Sequence, residues 1–176
     1  MTPDERVRLN LDMQVTLRPA ERVDLPLLEW FGEYRHFRVV FQRAFAEQVK
    51  GNRLMLLADC AGFPVGQVFL HYRTGERPSL GPRVYMYSLR VLEMFRGHGI
   101  GTALIHQAER CGLDTGHAWA SIAVARDNPG ALRLYERLGY QIYAEDAGRW
   151  TYIDHRGRLR RVNEPCWLLE KRIQIG

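Results

Sequence analysis

The chain has 176 residues, 46% of them hydrophobic, with a formal net charge of +5. Such a length and apolar content suit one domain with a sizeable core, and no apolar run approaches a membrane span. Of the 25 basic side chains only Lys50 and Lys171 are lysines, and the arginines are scattered, which argues against the basic, aromatic-laced stripe of a nucleic-acid binder.

Residues 1–12 are polar and are expected to form an N-terminal extension to a domain spanning 13–176. Met13 to Arg18 alternates apolar and polar residues, predicting a first strand that stops at Pro19. Asp24 is placed to cap a helix with Pro26 in its first turn, and Leu27, Leu28, Trp30 and Phe31 supply its apolar face. Gly32 interrupts this pattern. A second helix follows from Tyr34 to Val49, with Phe37, Val40, Phe41 and Phe45 at helical spacing, and ends at Gly51-Asn52.

Two apolar runs, Arg53 to Asp59 and Pro64 to Tyr72, predict a hairpin across Cys60-Ala-Gly-Phe. Thr74 to Pro82 is Gly- and Pro-rich and reads as a loop, before a central strand at Val84 to Leu92. Ile100, Ala103, Leu104, Ala108 and Cys111 form a helical stripe, His117 to Ala125 a strand, and Pro129 to Leu138 a short helix. Tyr140 to Ala144, Arg149 to Asp154 and Cys166 to Ile173 read as closing strands, with Arg156-Gly157 as a turn. Strands and helices mixed in this way predict one α/β or α+β domain.

Cys60, Cys111 and Cys166 are odd in number and in no metal-binding spacing, and the six histidines form no His-x-x-x-His pair. No metal is expected. The apolar neighbours of the cysteines suggest buried, reduced thiols, and the N-terminus lacks an apolar signal core; both point to the cytoplasm.

The most informative stretch is Phe95-Arg-Gly-His-Gly-Ile-Gly-Thr-Ala-Leu104, a glycine-rich turn joining a strand to a helix start. Glycines let the backbone approach a ligand closely, and the first turn of a helix offers unpaired amides and partial positive charge. Together they suit a phosphate. The spacing Gly-x-Gly-x-Gly is not the Gly-x-Gly-x-x-Gly of a dinucleotide fold, and no lysine follows Gly101 as a P-loop requires. A second motif lies at Asn128-Pro-Gly-Ala-Leu-Arg-Leu-Tyr-Glu-Arg-Leu-Gly-Tyr140, where Asn128 and Pro129 start a helix and Gly139 stops it.

These two motifs resemble those of the GNAT superfamily, the Gcn5-related N-acetyltransferases. Arg96-Gly-His-Gly-Ile-Gly101 is similar to the family's main motif Gln/Arg-x-x-Gly-x-Gly/Ala. Asn128, Ala131, Leu134-Tyr135, Leu138 and Gly139-Tyr140 are similar to its later one, and the element order fits from about residue 13 onward. The resemblance implies a mixed, mostly antiparallel sheet, splayed at an acyl-CoA site and flanked by helices. It implies that acetyl-CoA is the co-substrate, with its pantetheine arm against Leu89, Arg90 and Val91. The pyrophosphate then falls on the amides of Arg96, Gly97, His98, Gly99, Ile100, Gly101 and Thr102, with the Thr102 hydroxyl as a further donor. Arg96 often supports the loop in the family, His98 reads as a solvated loop residue, and Asn128 serves as helix cap, cofactor contact or both, beside Ala131. Tyr135 is implied to stand beside the CoA sulfur and protonate the departing thiolate; a phenol with a pKa of about 10 is protonated at neutral pH.

A base is harder to find. Val84 to Val91 carries no carboxylate, so Glu93, just past the strand, is the nearest candidate beside an ordered water, and a plain surface role remains its alternative. Glu29 and Glu33 are candidates to orient a cationic acceptor, or are simply solvated. The leading reading is an enzyme moving acetyl from acetyl-CoA to a primary amine in a ternary complex. Its rivals are a non-catalytic acyl-CoA sensor or interaction module of the same fold, and, more weakly, a nucleic-acid-associated protein. Neither a membrane nor a specific nucleic acid is an expected partner, and a homodimer is left open.

Overall fold

The structure, a computed structural model, describes residues 12–72 and 82–174. Seven strands form one sheet: β1 (Thr16–Pro19), β2 (Arg53–Cys60), β3 (Phe63–His71), β4 (Arg83–Val91), β5 (Trp119–Ala125), β6 (Gln141–Asp146) and β9 (Cys166–Arg172). Their spatial order is β1-β2-β3-β4-β5-β9-β6, and every pairing is antiparallel except β4 with β5. A separate hairpin is made of β7 (Arg149–Ile153) and β8 (Leu159–Asn163). The helices are α1 (Arg38–Val49), α2 (Ile100–Asp114) and α3 (Pro129–Arg137). This is the mixed α/β, mostly antiparallel architecture expected.

Strand alternation assigns the two faces. Leu56, Ala58, Val84 and Met86 pack with Leu104, Ile105 and Ala108 of α2, and Tyr135 of α3 belongs to the same cluster. Met55, Leu57 and Phe69 turn the other way, against Leu28 and against Phe41 and Ala44 of α1. Period-two side chains on the strands and the stripe on α2 therefore close two cores around one sheet. The β2–β3 turn is tight because Ala61 and Gly62 both take positive φ, at 51° and 84°.

Several expectations need correction. The first strand begins at Thr16 rather than Met13, which is exposed. No α-helix starts at Asp24. Short 3₁₀ turns run over Arg22–Asp24, Leu27–Gly32 and Arg35–Phe37, and Trp30 and Phe31 break them with φ of 40° and 58°. Asp24 is buried, bonding the Arg18 guanidinium at 2.7 and 2.9 Å and accepting from the Glu21 amide. An acid placed like a helix cap is instead half of an ion pair that ties the first turn to β1. Strand β8 was not foreseen, since Arg160, Arg161 and Asn163 are exposed and show no apolar alternation. The expected N-terminal extension and the Thr74–Pro82 loop fall almost wholly outside the described residues.

The β7–β8 turn has an electrostatic clasp. Asp154, 1% exposed, accepts from the Arg156 and Arg158 amides through Oδ1 and from Arg160 Nε through Oδ2 at 2.7 Å. These bonds, led by the Arg158 amide, lower its pKa from 3.8 to about 2. A depressed carboxylate stabilises the fold above its unfolded pKa and loses that contribution as pH falls through the folded one. Asp154→Asn is therefore expected to melt below the wild type at neutral pH. The difference should shrink steadily as the pH is lowered from about 4 toward 2 in thermal melts.

Candidate active site

The parallel pair β4–β5 holds for only part of its length. Arg83 to Met86 pair with Trp119 to Ile122, and the ladder then stops, although β5 stays paired with β9 as far as Ala125 and Cys166. The reason lies in β4. Phe69 faces Tyr87 while Gln67 faces Arg90, so β4 carries one residue more than β3 across this step. Ser88 absorbs it at φ 55°, a conformation that non-glycine residues seldom take. The bulge bends β4 from β5 and changes its parity. Leu89 and Val91 reach the core shared with α2, and Arg90 faces Tyr34 and Phe37 instead. Strain of this kind concentrates at functional sites.

Beyond the bulge, Arg90 and Val91 keep their pairing to β3, and none of Leu89, Arg90 and Val91 has a β5 partner, so their open edge faces the gap. At its mouth the chain makes a 3₁₀ turn at Glu93–Phe95 and the glycine turn, then enters α2. Gly97 and Gly99 take φ of 78° and 81°, and a Cβ built on either would meet nothing within 4 Å. Gly99 precedes the first helical residue, leaving the amides of Ile100, Gly101 and Thr102 without intrahelical acceptors. Gly101 differs from Gly97 and Gly99 in being helical, without a positive φ. A Cβ there would sit 3.7 Å from Leu134 and 3.9 Å from Val91, so Gly101 marks a close junction of β4, α2 and α3.

The side chains of the turn serve the turn. Arg96 Nε donates to the Val91 carbonyl at 2.9 Å, and His98 Nδ1 lies 2.9 Å from the Arg96 carbonyl. Both are exposed, and Thr102 is half-buried in the first helical turn. Asn128 Oδ1 accepts from the Ala131 amide at 3.1 Å, so its capping role is realised.

Tyr135 is 4% exposed and stands edge-on to Tyr140, with ring centroids 6.2 Å apart. Tyr140 is anchored by donating to Glu109 at 2.7 Å, whereas the Tyr135 hydroxyl makes no hydrogen bond among the described residues. Burial raises the Tyr135 pKa first, and nearby Tyr85 raises it further. Tyr85 is itself pushed up to about 12 by burial. Glu93 is exposed and lines a cleft of about 440 Å³ with Trp30, Glu33, Tyr34, Leu92, Met94 and Arg96, a group that does not include Tyr135. Glu29 accepts from Arg38 through both oxygens, at 2.5 and 3.0 Å, so its charge is already paired within the protein. Cys111 is half-buried with its thiol pKa raised, not activated.

A splayed parallel pair, a glycine turn opening a helix after β4 and a buried tyrosine on α3 are the local signs; residues 19–140 match the Acetyltransferase (GNAT) family. The chain belongs to the GNAT acetyltransferase family.

Solved GNAT-fold structures agree in architecture. NAA60 of Arabidopsis thaliana in complex with acetyl-CoA superposes with a TM-score of 0.67 at 22% identity, covering 91% of this chain and 99% of that one. The ribosomal-protein-S18-alanine N-acetyltransferase of Escherichia coli gives 0.66 at 17% identity, with 93% and 96% covered. Arabidopsis thaliana Naa50 in complex with the bisubstrate analogue CoA-Ac-MVNAL gives 0.64 at 20% identity, with 89% and 97% covered. These likenesses show the fold, and GNAT membership supports acetyl transfer from acetyl-CoA in general. No helix among the described residues is long and apolar enough to cross a membrane.

Two features escaped the sequence reading. The bulge at Ser88 leaves no composition signal, and the Arg90 side chain was credited only with its backbone. A hint was present in Tyr85, Tyr87 and Arg90, whose alternation breaks between 87 and 90.

Proposed function

We propose that this GNAT protein is an N-acetyltransferase that moves the acetyl group of acetyl-CoA to a primary amine by direct attack. The observation that carries the reading is the open edge of β4 at Leu89, Arg90 and Val91, leading straight to the glycine turn. The residues fit the co-substrate: an extended edge suits the amide chain of pantetheine, and the amides from Arg96 to Thr102 suit a pyrophosphate. Asn128, with its oxygen committed to the cap, keeps its amide group for the cofactor, beside Ala131.

Acetyl-CoA brings an acetyl group already activated as a thioester. The chain's task is to hold it, admit a neutral amine and stabilise the leaving sulfur. The amine lone pair forms the new C–N bond, the C–S bond breaks, and the thiolate gains a proton. Tyr135 supplies the donor. With its pKa raised above the ordinary value of about 10 it is a weaker acid than a thiol, near 8.5, so full transfer to a free thiolate runs uphill. It acts by donating a hydrogen bond as charge develops; as the amine's proton leaves, it passes its own proton to the sulfur and regains one from solvent water. Glu93 takes that proton through water, being the first carboxylate past β4. The undischarged hydroxyl of Tyr135 favours an enzyme over a pure acyl-CoA sensor, which has no need for such a donor.

Acetyl-CoA binds only the folded chain in this account, so a hundredfold excess over Kd adds about 2.7 kcal/mol and should raise Tm by roughly 5–10 °C. Superimposable melts with and without saturating ligand would remove the co-substrate assignment. Activity is tested by incubating acetyl-CoA with a panel of primary amines and following free-thiol release and product mass. Acetyl-CoA binding without turnover of any amine would favour the sensor.

A further inference from the structure

The wall facing α1 and the β7–β8 hairpin contains an unused cation. Arg90 lies over the rings of Tyr34 and Phe37, with its guanidinium carbon 4.2 and 5.0 Å from their centroids. Phe37 in turn packs on Tyr152 at 5.0 Å and Trp150 at 6.3 Å, so the guanidinium stands at the edge of an aromatic box. Its Nη1 is buried and has no hydrogen-bond partner among the described residues. Glu33 and Glu164 are near enough to act on Arg90 through space, but neither reaches ion-pair distance.

The remaining charges nearby do not neutralise it. His36 and His155 stand on the same wall, and Arg160 and Asp154 are committed to each other in the hairpin clasp. His155 has a second buried nitrogen, Nδ1, without a partner. A buried guanidinium nitrogen without a hydrogen-bond acceptor is costly to keep unless something completes it. Polyamines and other polycations need an acidic wall, whereas here a guanidinium stands among the rings and the nearest carboxylates, Glu33 and Glu164, stay beyond ion-pair distance. A carboxylate matches the planar two-donor fork of an arginine, and aromatic faces hold that fork in place.

We propose that Arg90 is a specificity-determining residue, and that the acceptor is an amine that also carries a carboxylate, held by Arg90 beside Tyr34 and Phe37. This rests on the acetyltransfer reading. The bulge at Ser88 explains how one strand serves two ligands: the backbone from Leu89 to Val91 faces the cofactor gap while the Arg90 side chain crosses to the acceptor face.

The test pairs free amino acids, including β-amino acids, with their carboxamides as acceptors, and compares kcat/KM. Amidation lowers the pKa of the amine and leaves more of it neutral, so chemistry alone favours the amides. The wild type is expected to prefer the acids. In Arg90→Met, the ratio of kcat/KM for the acids to that for the amides should fall about thirtyfold or more. Arg90→Lys, which keeps the charge without the fork, should recover part of the preference and covers the case in which Arg90→Met does not fold. A wild type that prefers amides, or an acid-to-amide ratio unmoved in both variants, overturns the proposal. If neither arm turns over, calorimetric titration of the CoA-loaded protein with N-acetyl amino acids and with their amides decides it: binding selective for the carboxylates upholds the proposal, and its absence overturns it. Failure to bind acetyl-CoA at all instead strikes the cofactor reading, and this one with it.

Discussion

Tyr135→Phe is expected to lower kcat by at least tenfold while leaving both KM for acetyl-CoA and the melting temperature nearly unchanged. General acid catalysis is typically worth about 10²–10⁴-fold, and water standing in for the hydroxyl sets the lower figure. The structure sharpens this expectation. The Tyr135 hydroxyl makes no hydrogen bond among the described residues, so its removal breaks no internal bond, and the ring keeps its packing on Tyr140. A loss of rate without a loss of stability is the mark of a donor used only as the reaction proceeds. Tyr140→Phe offers the contrast: it breaks the bond to Glu109 and should cost stability first. Unchanged turnover in Tyr135→Phe would reduce Tyr135 to a wall of the cofactor gap.

Gly99→Val is expected to abolish binding of CoA while the protein still folds. Gly99 sits at φ 81° immediately before α2, and a Cβ there meets nothing of the protein within 4 Å. The cost to the fold is therefore backbone strain, about 1–2 kcal/mol, without any internal clash. The added side chain would stand where the phosphates must approach the amides of Ile100, Gly101 and Thr102. Gly51 provides a matched control, since it has φ 78° and equal space in a turn remote from the site. Gly51→Val should be similarly destabilised and bind CoA normally. Gly101 is a poorer place for this experiment: its φ is helical, and a larger residue would press on Leu134 and Val91 as well as on the ligand. Normal CoA affinity in folded Gly99→Val would contradict the phosphate cradle.

Much of this architecture was legible in the chain because periodicity carries it. The hairpin at β2–β3, the stripe on α2 and the cap at Asn128 all follow from local rules, and each was found within a few residues of its place. The glycine turn could be read because its spacing is local too. What escaped was decided by contacts distant in sequence. Asp24 resembles a helix cap until Arg18 and Asp59 are brought beside it, with Arg18 reaching Asp59 at 2.6 Å. The kink at Trp30 and Phe31 is held by Trp30 Nε1 donating to the Pro64 carbonyl at 2.8 Å, a bond 34 residues long in sequence. It leaves Phe31 90% exposed but stacked on Phe63. The role of the Arg90 side chain depends on a bulge at Ser88, where one extra residue reverses which face every later side chain takes. Strand β8 has no apolar alternation and exists because β7 and the Asp154 clasp give it a partner.

The central claim is that the gap between β4 and β5 takes the pantetheine arm while the glycine turn takes the phosphates. Calorimetric titration of acetyl-CoA into the wild type tests it most directly. Saturable binding of one molecule per chain, lost in Gly99→Val and kept in Gly51→Val, is the result expected. Absence of binding to the wild type, or equal binding by all three proteins, would contradict it.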